Sequence, residues 1–519
     1  MEIPKNSRQS DSIHWSPMQP EDEFNRILDS HVHPSDWVNP EPAEMYNMVV
    51  IGAGTAGLVT AAVAAGLGAR VALIERERMG GDCLNVGCVP SKGLLAAARQ
   101  IHSIRKISGS SIISGATMDT EVDFAAVMER MRRLRSSIAP DDSADRFRKL
   151  GVDVFFGQAE FIDTRSVRVG DKVLPFRKAV IATGARASAP PIPGLDSVPF
   201  LNNESIFSLT RLPSSLLVIG GGPIGVEMGQ AFARLGSQVT LIESSDRILS
   251  REEEDAAMVV QDSLVNDGII IHKNSTNLQF EPSSSDITYK LKTPEGEITG
   301  SSSHVLVAVG RAPNVENLGL ENAGVEYDST IGIHVNDHLQ TSNRNIFAAG
   351  DVCSRYKFTH SADFMARTVI SNALFFGRGR ASRLVIPWAT YSDPELAHVG
   401  LYPQEAKSLG ISVTTITRHF NEVHRNILED ETKGFVRVHL KKGTDRILGA
   451  TAVGHHAGEL IAHITMAMTN KIGMSGLAST IHPYPTRSEI IRQLGDMYKR
   501  TRLTPTIASI LKQILKWKR

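Results

Sequence analysis

Cysteine is scarce in this chain. Three occur in 519 residues, at positions 83, 88 and 353, too few for the disulfide framework that holds small secreted domains together. A structural zinc site needs further Cys or His at matching spacing, and none is evident, so no metal site is expected. An excess of charge of either sign is also missing. Lys+Arg and Asp+Glu stand at 56 each, which argues against the broad basic field that general nucleic-acid binding requires. The N-terminal stretch lacks the basic-then-apolar order of a secretory signal, with Glu21, Asp22 and Glu23 making it acidic, and a cytoplasmic location is expected. Long unbroken apolar runs are absent too. The stretch from Met48 to Ala69 carries no charge, yet Gly52, Gly54, Gly57, Gly66 and Gly68 interrupt it; a strand, a tight turn and a buried helix account for it better than a membrane span.

What the chain does contain is an internal repeat. YNMVVIGAGTAGLVTAAVAAGLGARVALIE, ending at Glu75, and SSLLVIGGGPIGVEMGQAFARLGSQVTLIE, ending at Glu243, align at a constant offset of 168 residues. Each reads as a short apolar strand, a glycine turn, a helix and a second strand closed by an acidic residue. This is the pattern of a dinucleotide site. In Gly52, Gly54 and Gly57, and again in Gly220, Gly222 and Gly225, the first glycine permits the turn, the second admits a pyrophosphate and the third lets helix pack on strand. The phosphates then meet the free N–H groups of the helix start at Thr55 and Ala56. Glu75 and Glu243 fall where a carboxylate accepts hydrogen bonds from a ribose diol. One such motif is a weak signal; two full copies imply two dinucleotides.

Further cofactor candidates are Thr183 and Gly184, Gly310 at the start of GRAPN, and Gly350 with Asp351 at the end of NIFAAGDV. Beyond Pro387 short alternating runs and helices suggest a third domain. Residues 1–45, with Pro17, Pro20, Pro34, Pro40 and Pro42, read as an extended arm. His31 and His33 form an HxH pair there without further ligands, and Cys353 reads as a small apolar filler.

Cys83 and Cys88 lie in GGDCLNVGCVPSK, Gly80 to Lys92, just after the first repeat. Their spacing is close to one helical turn plus one residue and allows a strained local disulfide. A helix N-terminus or a nearby cation lowers a cysteine pKa from about 8.5. Two buried, reduced cysteines are the alternative from spacing alone.

At these residues the chain resembles the class I pyridine nucleotide-disulfide oxidoreductases, the family of glutathione reductase, dihydrolipoyl dehydrogenase and mercuric reductase, over about residues 46–495. The resemblance implies an α/β fold: two Rossmann-like dinucleotide-binding domains, for FAD and NAD(P), plus a C-terminal α+β dimerisation domain that makes a homodimer. The corresponding boundaries are 46–200 and 315–385 for the FAD domain, 201–314 for the NAD(P) domain inserted in it, and 386–500 for dimerisation. By the same resemblance Cys88 is the thiol that lies against the flavin, Cys83 is the interchange thiol that attacks a substrate disulfide, Lys92 and Glu227 are a buried ion pair near the flavin ring, and Asp351 binds FAD. The family's HPTxSE text appears here as HPYPTRSE, His482 to Glu489. Aligned on Pro485, Thr486, Ser488 and Glu489, Tyr484 takes the place of the catalytic histidine, as in mercuric reductases. The proton for the leaving thiolate is therefore assigned to His482 or Tyr484, with Glu489 as the orienting group. Asp82 departs from the common GGTC and puts one flavin-facing contact in question.

The implied function is transfer of electrons from NAD(P)H through FAD to the Cys83/Cys88 disulfide and on to a small-molecule disulfide or other thiol-reactive substrate. Mercuric reduction, dihydrolipoyl dehydrogenase-like activity, a thiol-independent flavin dehydrogenase and a non-catalytic flavoprotein are the alternatives; anaerobic titration separates the last two from the rest, since a disulfide enzyme takes up about two electrons beyond the flavin's own. Glu243 is followed by two serines and no arginine pair, which favours NADH over NADPH, although Arg247 lies close in sequence. In the tail, 501–519, Ile507, Ile510, Leu511, Ile514 and Leu515 form one apolar helix face beside Lys512, Lys516, Lys518 and Arg519. That helix either packs on the protein body or makes a peripheral membrane contact with an anionic surface.

The motif wording is most like the mercuric reductase branch, but the C-terminal cysteine pair that delivers metal there is missing. Hg(II) binds thiolates so tightly that turnover needs a relay of exchanging ligands. Hg(II)-dependent NAD(P)H oxidation in excess small thiol is expected to be slow or negligible beside that with disulfides; fast saturable turnover abolished by Cys83→Ala would show that Hg(II) reaches the pair directly.

Overall fold

The computed structural model describes residues 16–108, 121–282 and 286–519. Two compact units are present, Met1–Ser244 with Gly268–Leu384, and Ser245–Asp267 with Val385–Arg519.

In the first unit, short apolar runs become parallel strands covered on both faces. Helix α1 (Glu23–Val32) precedes β1 (Tyr46–Ile51), α2 (Thr55–Gly66) and β2 (Val71–Glu75). The helices α3 (Gly81–Asn85), α4 (Cys88–Ser108), α5 (Phe124–Ile138) and α6 (Ala144–Lys149) follow before β3 (Val152–Phe156). Strand β2 lies between β1 and β3, all parallel. A meander of β4 (Ala159–Asp163), β5 (Ser166–Val169) and β6 (Lys172–Ile181) follows; the end of β6 runs parallel beside β1 and accepts the strand Ile346–Ala348 on its other edge. The chain thus returns to its first sheet after building a second one. That second sheet has four parallel strands in the spatial order Ile270–His272, Gln238–Ile242, Ser215–Ile219, His304–Val307, with the helix Pro223–Leu235 as the crossover. Alternate residues of the first sheet serve two cores: Val50, Leu73, Val154 and Val180 pack with Ala61 and Ala64 of α2, while Val49, Ile74, Phe176 and Ile181 face the other way.

The arm differs from the sequence expectation. Residues 23–32 are helical, with Asp22 as N-cap accepting from Asn25 N at 2.8 Å. Leu28 and Val32 are fully buried in the same core as Met48 and Val50. The prolines misled because Pro20 and Pro34 bracket the helix instead of interrupting it, and proline is disruptive only inside.

The second unit holds a five-stranded antiparallel sheet, spatial order Pro387–Thr390, Glu395–Gly400, Ile447–Gly454, Phe435–Lys441, Val413–His419. Leu460, Ile461 and Ile464 of helix Ala457–Thr469, with Ile490, Ile491 and Leu494 of helix Glu489–Thr501, cover one face. The helix Glu254–Asn266 also belongs to this unit, although it lies within the 201–314 stretch. Glu252, two residues before this helix, accepts from Trp388 Nε1 at 2.8 Å and from the Tyr402 hydroxyl at 2.5 Å. The tail forms the helix Pro505–Trp517, in which no residue is buried, so the packed reading of the tail does not hold within this chain. Among the described residues no helix is long and apolar enough to cross a membrane.

Leu28→Ala is expected to lower the first unfolding transition by about 2–5 kcal/mol, the usual cost of emptying a fully buried leucine site. Urea denaturation followed by far-ultraviolet circular dichroism measures it; a loss under about 0.5 kcal/mol, normal for a surface change, would mean the arm is not part of the core.

Candidate active site

Both repeat loops are shaped by close backbone approach. Gly52 has φ +99°, and a Cβ there would meet Ala182 O at 2.4 Å; a Cβ on Gly57 would lie 1.8 Å from Gly52 O. Gly220 and Gly225 repeat this geometry, with 2.6 Å to Ala308 O and 1.9 Å to Gly220 O. The middle glycines are different. Gly54 has only Gly81 Cα near, at 3.8 Å, and Gly222 has nothing within 4 Å. Each is the N-cap of its helix and supplies no side-chain cap. Free helix-start N–H groups beside open space suit a pyrophosphate, so the residues present fit a dinucleotide at both loops.

The acidic strand ends tie these loops down. Glu75 accepts from Ala53 N at 2.7 Å and Glu77 N at 2.8 Å, and Glu243 accepts from Gly221 N at 2.7 Å. Burial pushes the Glu75 carboxyl up, opposed by those two donors. Thr183 hydroxyl donates to Asn314 O at 2.7 Å and Asn314 N donates to Gly184 O at 3.0 Å, joining two segments of the first unit. Gly310 and Gly184 each border open space. Gly350 sits against α2, where an added Cβ would be 3.3 Å from Ala56 Cβ. The neighbouring Asp351 carboxyl is pushed up by burial and opposed by Arg311, whose Nε lies 3.6 Å away.

Cys83 sits in α3 and Cys88 opens α4; both are free thiols. The two are unlike. Cys88 is drawn below the usual thiol range, first by the hydrogen bond from Cys83, then, against burial, by the Thr359 hydroxyl and the Lys92 charge. Thr359 Oγ1 lies 3.5 Å from Cys88 Sγ. Cys83 is pushed up by that same sulfur-to-sulfur hydrogen bond, by burial and by the negative charge on Cys88. Negative charge is therefore favoured at Cys88 over Cys83. Lys92 Nζ donates to Glu227 Oε2 at 2.8 Å, linking α4 to the helix Pro223–Leu235.

In the second unit His482 Nδ1 lies 3.3 Å from Ser488 Oγ, and Tyr484 hydroxyl 3.1 Å from His424 Nδ1. Burial, then His463 and Arg492, lower the His482 pKa, with Glu489 opposing. Glu489 does not orient His482 directly. Its carboxylate accepts from Arg492 Nη2 at 2.7 Å, because the two stand three residues apart on one helix turn.

Two partners escaped sequence reasoning. Thr359 lies 271 residues from Cys88, and no local pattern marks it. Arg311 stands in the quoted GRAPN motif, but only the fold brings it to Asp82.

Residues 46–366 match the pyridine nucleotide-disulphide oxidoreductase domain and 386–494 its dimerisation domain. The chain belongs to this family and is an FAD-dependent disulfide oxidoreductase linked to a pyridine nucleotide; the second match supports a homodimer. It is 34% identical over 449 residues to mercuric reductase of Lysinibacillus sphaericus, covering 86% of this chain and 81% of that one. Identity with dihydrolipoyl dehydrogenase of Geobacillus stearothermophilus is 32% over 458 residues, 86% and 95% of the two chains. The HOCl-induced flavoprotein disulfide reductase RclA from Escherichia coli has a similar structure, with TM-score 0.75 and 28% identity over 87% of this chain and 99% of that one.

The Cys88 thiolate, present above the lowered pKa, is expected to be lost only as pH falls through it, well below the ordinary value of about 8.5. The ultraviolet thiolate absorbance of the reduced protein, taken as a difference from Cys88→Ser, reads this. Thr359→Ala should raise the inflection by about one pH unit, since a hydrogen bond to a charged group contributes about 1.5 kcal/mol or more. An inflection in the ordinary thiol range would remove the asymmetry.

Proposed function

We propose that this enzyme uses NADH to reduce a small disulfide, or another small thiol-reactive oxidant, at Cys83 and Cys88. The asymmetry of the pair carries the reading, because a thiol next to a stabilised thiolate is a state ready for two successive exchanges. Cys83 gives up its proton and attacks one sulfur of R–S–S–R′. The substrate bond breaks, R′–S⁻ leaves and is protonated, and Cys83 remains joined to R–S. The Cys88 thiolate then attacks Cys83 Sγ, R–S⁻ leaves and takes a proton, and the Cys83–Cys88 disulfide forms. Two electrons have passed to the substrate. His482 or Tyr484, acting across the dimer interface, is the proposed carrier of the first proton; the neutral imidazole favoured at His482 can accept at Nε2. Lys92, held by Glu227, favours negative charge at Cys88.

FAD, held by the loop Gly52–Gly57 with Thr55 and Ala56, and by Glu75, Thr183, Gly184, Gly350 and Asp351, supplies the two-electron connection between nicotinamide and the sulfur pair. Gly220, Gly222, Gly225, Glu243 and Gly310 are the proposed nicotinamide-nucleotide residues. The NADH preference rests on Glu243, which repels a 2′-phosphate. Arg247, the nearest cation in sequence, is engaged by Asp246 at 3.3 Å and by Ser250 O at 3.1 Å.

With purified holoenzyme and a disulfide panel, kcat/KM is expected to be at least about tenfold higher with NADH than with NADPH, a difference of about 1.4 kcal/mol. A higher value with NADPH overturns the nucleotide assignment. Cys83→Ser should cut disulfide turnover by about 10³-fold or more, and a variant as fast as wild type would leave a thiol-independent flavin dehydrogenase.

A further inference from the structure

Helix α1 precedes the segment that matches the family domain, which begins at residue 46. Its docking is specific. Asp22 pairs with Arg132 of α5, Asp29 accepts from Arg78 Nε at 2.7 Å, and Met79 N donates to Val32 O at 3.0 Å. The contact that matters most is made by Arg135 of α5, a side chain only 1% exposed. Its Nη2 donates to Asn25 Oδ1 at 2.6 Å and its Nη1 to Asn85 O at 2.5 Å. Asn85 ends α3, between Cys83 and Cys88. Its own side chain donates to Met79 O at 3.0 Å and Gly81 O at 2.9 Å, fixing the same turn from the other side.

We propose that α1 is a positioning element for the redox pair, acting through a relay from Asn25 through Arg135 to the carbonyl of Asn85. Asn25, 1% exposed, is itself fixed, its amide donating to Pro20 O at 2.8 Å. A planar guanidinium sets the separation and direction of its acceptors, which a flexible ammonium would not. The carbonyl of Asn85 is one of the carbonyls that a helix end leaves without a partner inside the helix; Arg135 takes it up and so fixes where α3 ends relative to the start of α4. Cys83 stands on one side of that joint and Cys88 on the other. A joint held at one geometry keeps the two sulfurs within bonding range in the dithiol state, so little chain freedom is lost when they join. Released, the dithiol gains freedom and the disulfide becomes less favourable.

The relay rests on the reading of Cys83 and Cys88 as a redox pair, and its test separates the two. Holoenzyme is equilibrated with oxidised and reduced dithiothreitol: the protein dithiol gives two electrons and two protons to the cyclic disulfide of dithiothreitol, and the Cys83–Cys88 bond forms. Thiol trapping and mass spectrometry give the equilibrium constant. If wild type forms no disulfide at all, the redox reading itself fails. If it does, Asn25→Leu is expected to lower the constant about tenfold, a potential about 30 mV higher for a two-electron couple. Asn25→Asp keeps an acceptor oxygen toward Arg135 and should stay within about twofold of wild type. An Asn25→Leu protein that is less stable but has the wild-type constant overturns the proposal, because a merely structural helix changes stability alone. The wild-type enzyme gives a second measurement that needs no variant. Coupling is reciprocal, so amide hydrogen exchange in residues 23–32 should be slower in the disulfide than in the dithiol form, and equal exchange in the two forms likewise overturns it.

Discussion

The preference for negative charge at Cys88 over Cys83 is the constraint on which the chemistry depends. Cys83 is pushed up and Cys88 drawn down, so the charge is favoured at Cys88. Such an arrangement is fragile in isolation, because burial works against the anion. The surroundings therefore matter: the hydroxyl of Thr359 and the ammonium of Lys92 both favour charge at Cys88, and Lys92 is itself held by Glu227 from a different helix. Each of these groups reaches the site from a separate element of the same unit. The thiolate is thus a property of the fold, and a peptide carrying only CLNVGC would not have it.

That dependence explains what the sequence could and could not disclose. The two dinucleotide loops were legible because their requirements are local. A glycine whose Cβ would come within 2.4 Å of a carbonyl, or within 1.8 Å of another, is demanded by backbone geometry alone, and the same demand repeated 168 residues on cannot be mistaken for an ordinary turn. Lys92 and Glu227 were legible only through resemblance, being 135 residues apart. Thr359 had neither advantage. A single threonine at a helix start carries no periodicity and no motif, and its meaning comes only from the sulfur it faces.

The N-terminal arm shows the opposite failure, a local signal that pointed the wrong way. Five prolines in 26 residues read as extended chain, yet none falls within 23–32, and the apolar pair Leu28 and Val32 is spaced to share one helical face. Glu489 has a nearer partner than the one resemblance gave it. Resemblance made it the orienting group for His482 or Tyr484, but a carboxylate at the first turn of a helix meets a cation three residues ahead, and Arg492 stands at that distance.

Asp82 joins these threads. Most of its motif follows the family wording, but here a carboxylate stands beside Cys83 where a neutral threonine is usual, in a region that must also take up an anionic pyrophosphate. An unpaired charge there would oppose both the cofactor and the thiolate. The structure pairs it with Arg311, which also donates to Ala185 O at 2.6 Å and approaches Asp351 at 3.6 Å. Lys357 holds the backbone of Arg311 through its carbonyl at 2.7 Å, and so brings a second cation to the same cluster. Glu204 also acts on Asp82 and Arg311, so three carboxylates meet these two cations, and the substituted Asp82 is met by a direct ion pair. Its effect is geometric: the guanidinium now spans from α3, which carries Cys83, to the loop that carries Asp351. Asp351 and the sulfur-bearing turn are tied by an ion pair that a threonine could not make, since a hydroxyl offers Arg311 no charge to hold.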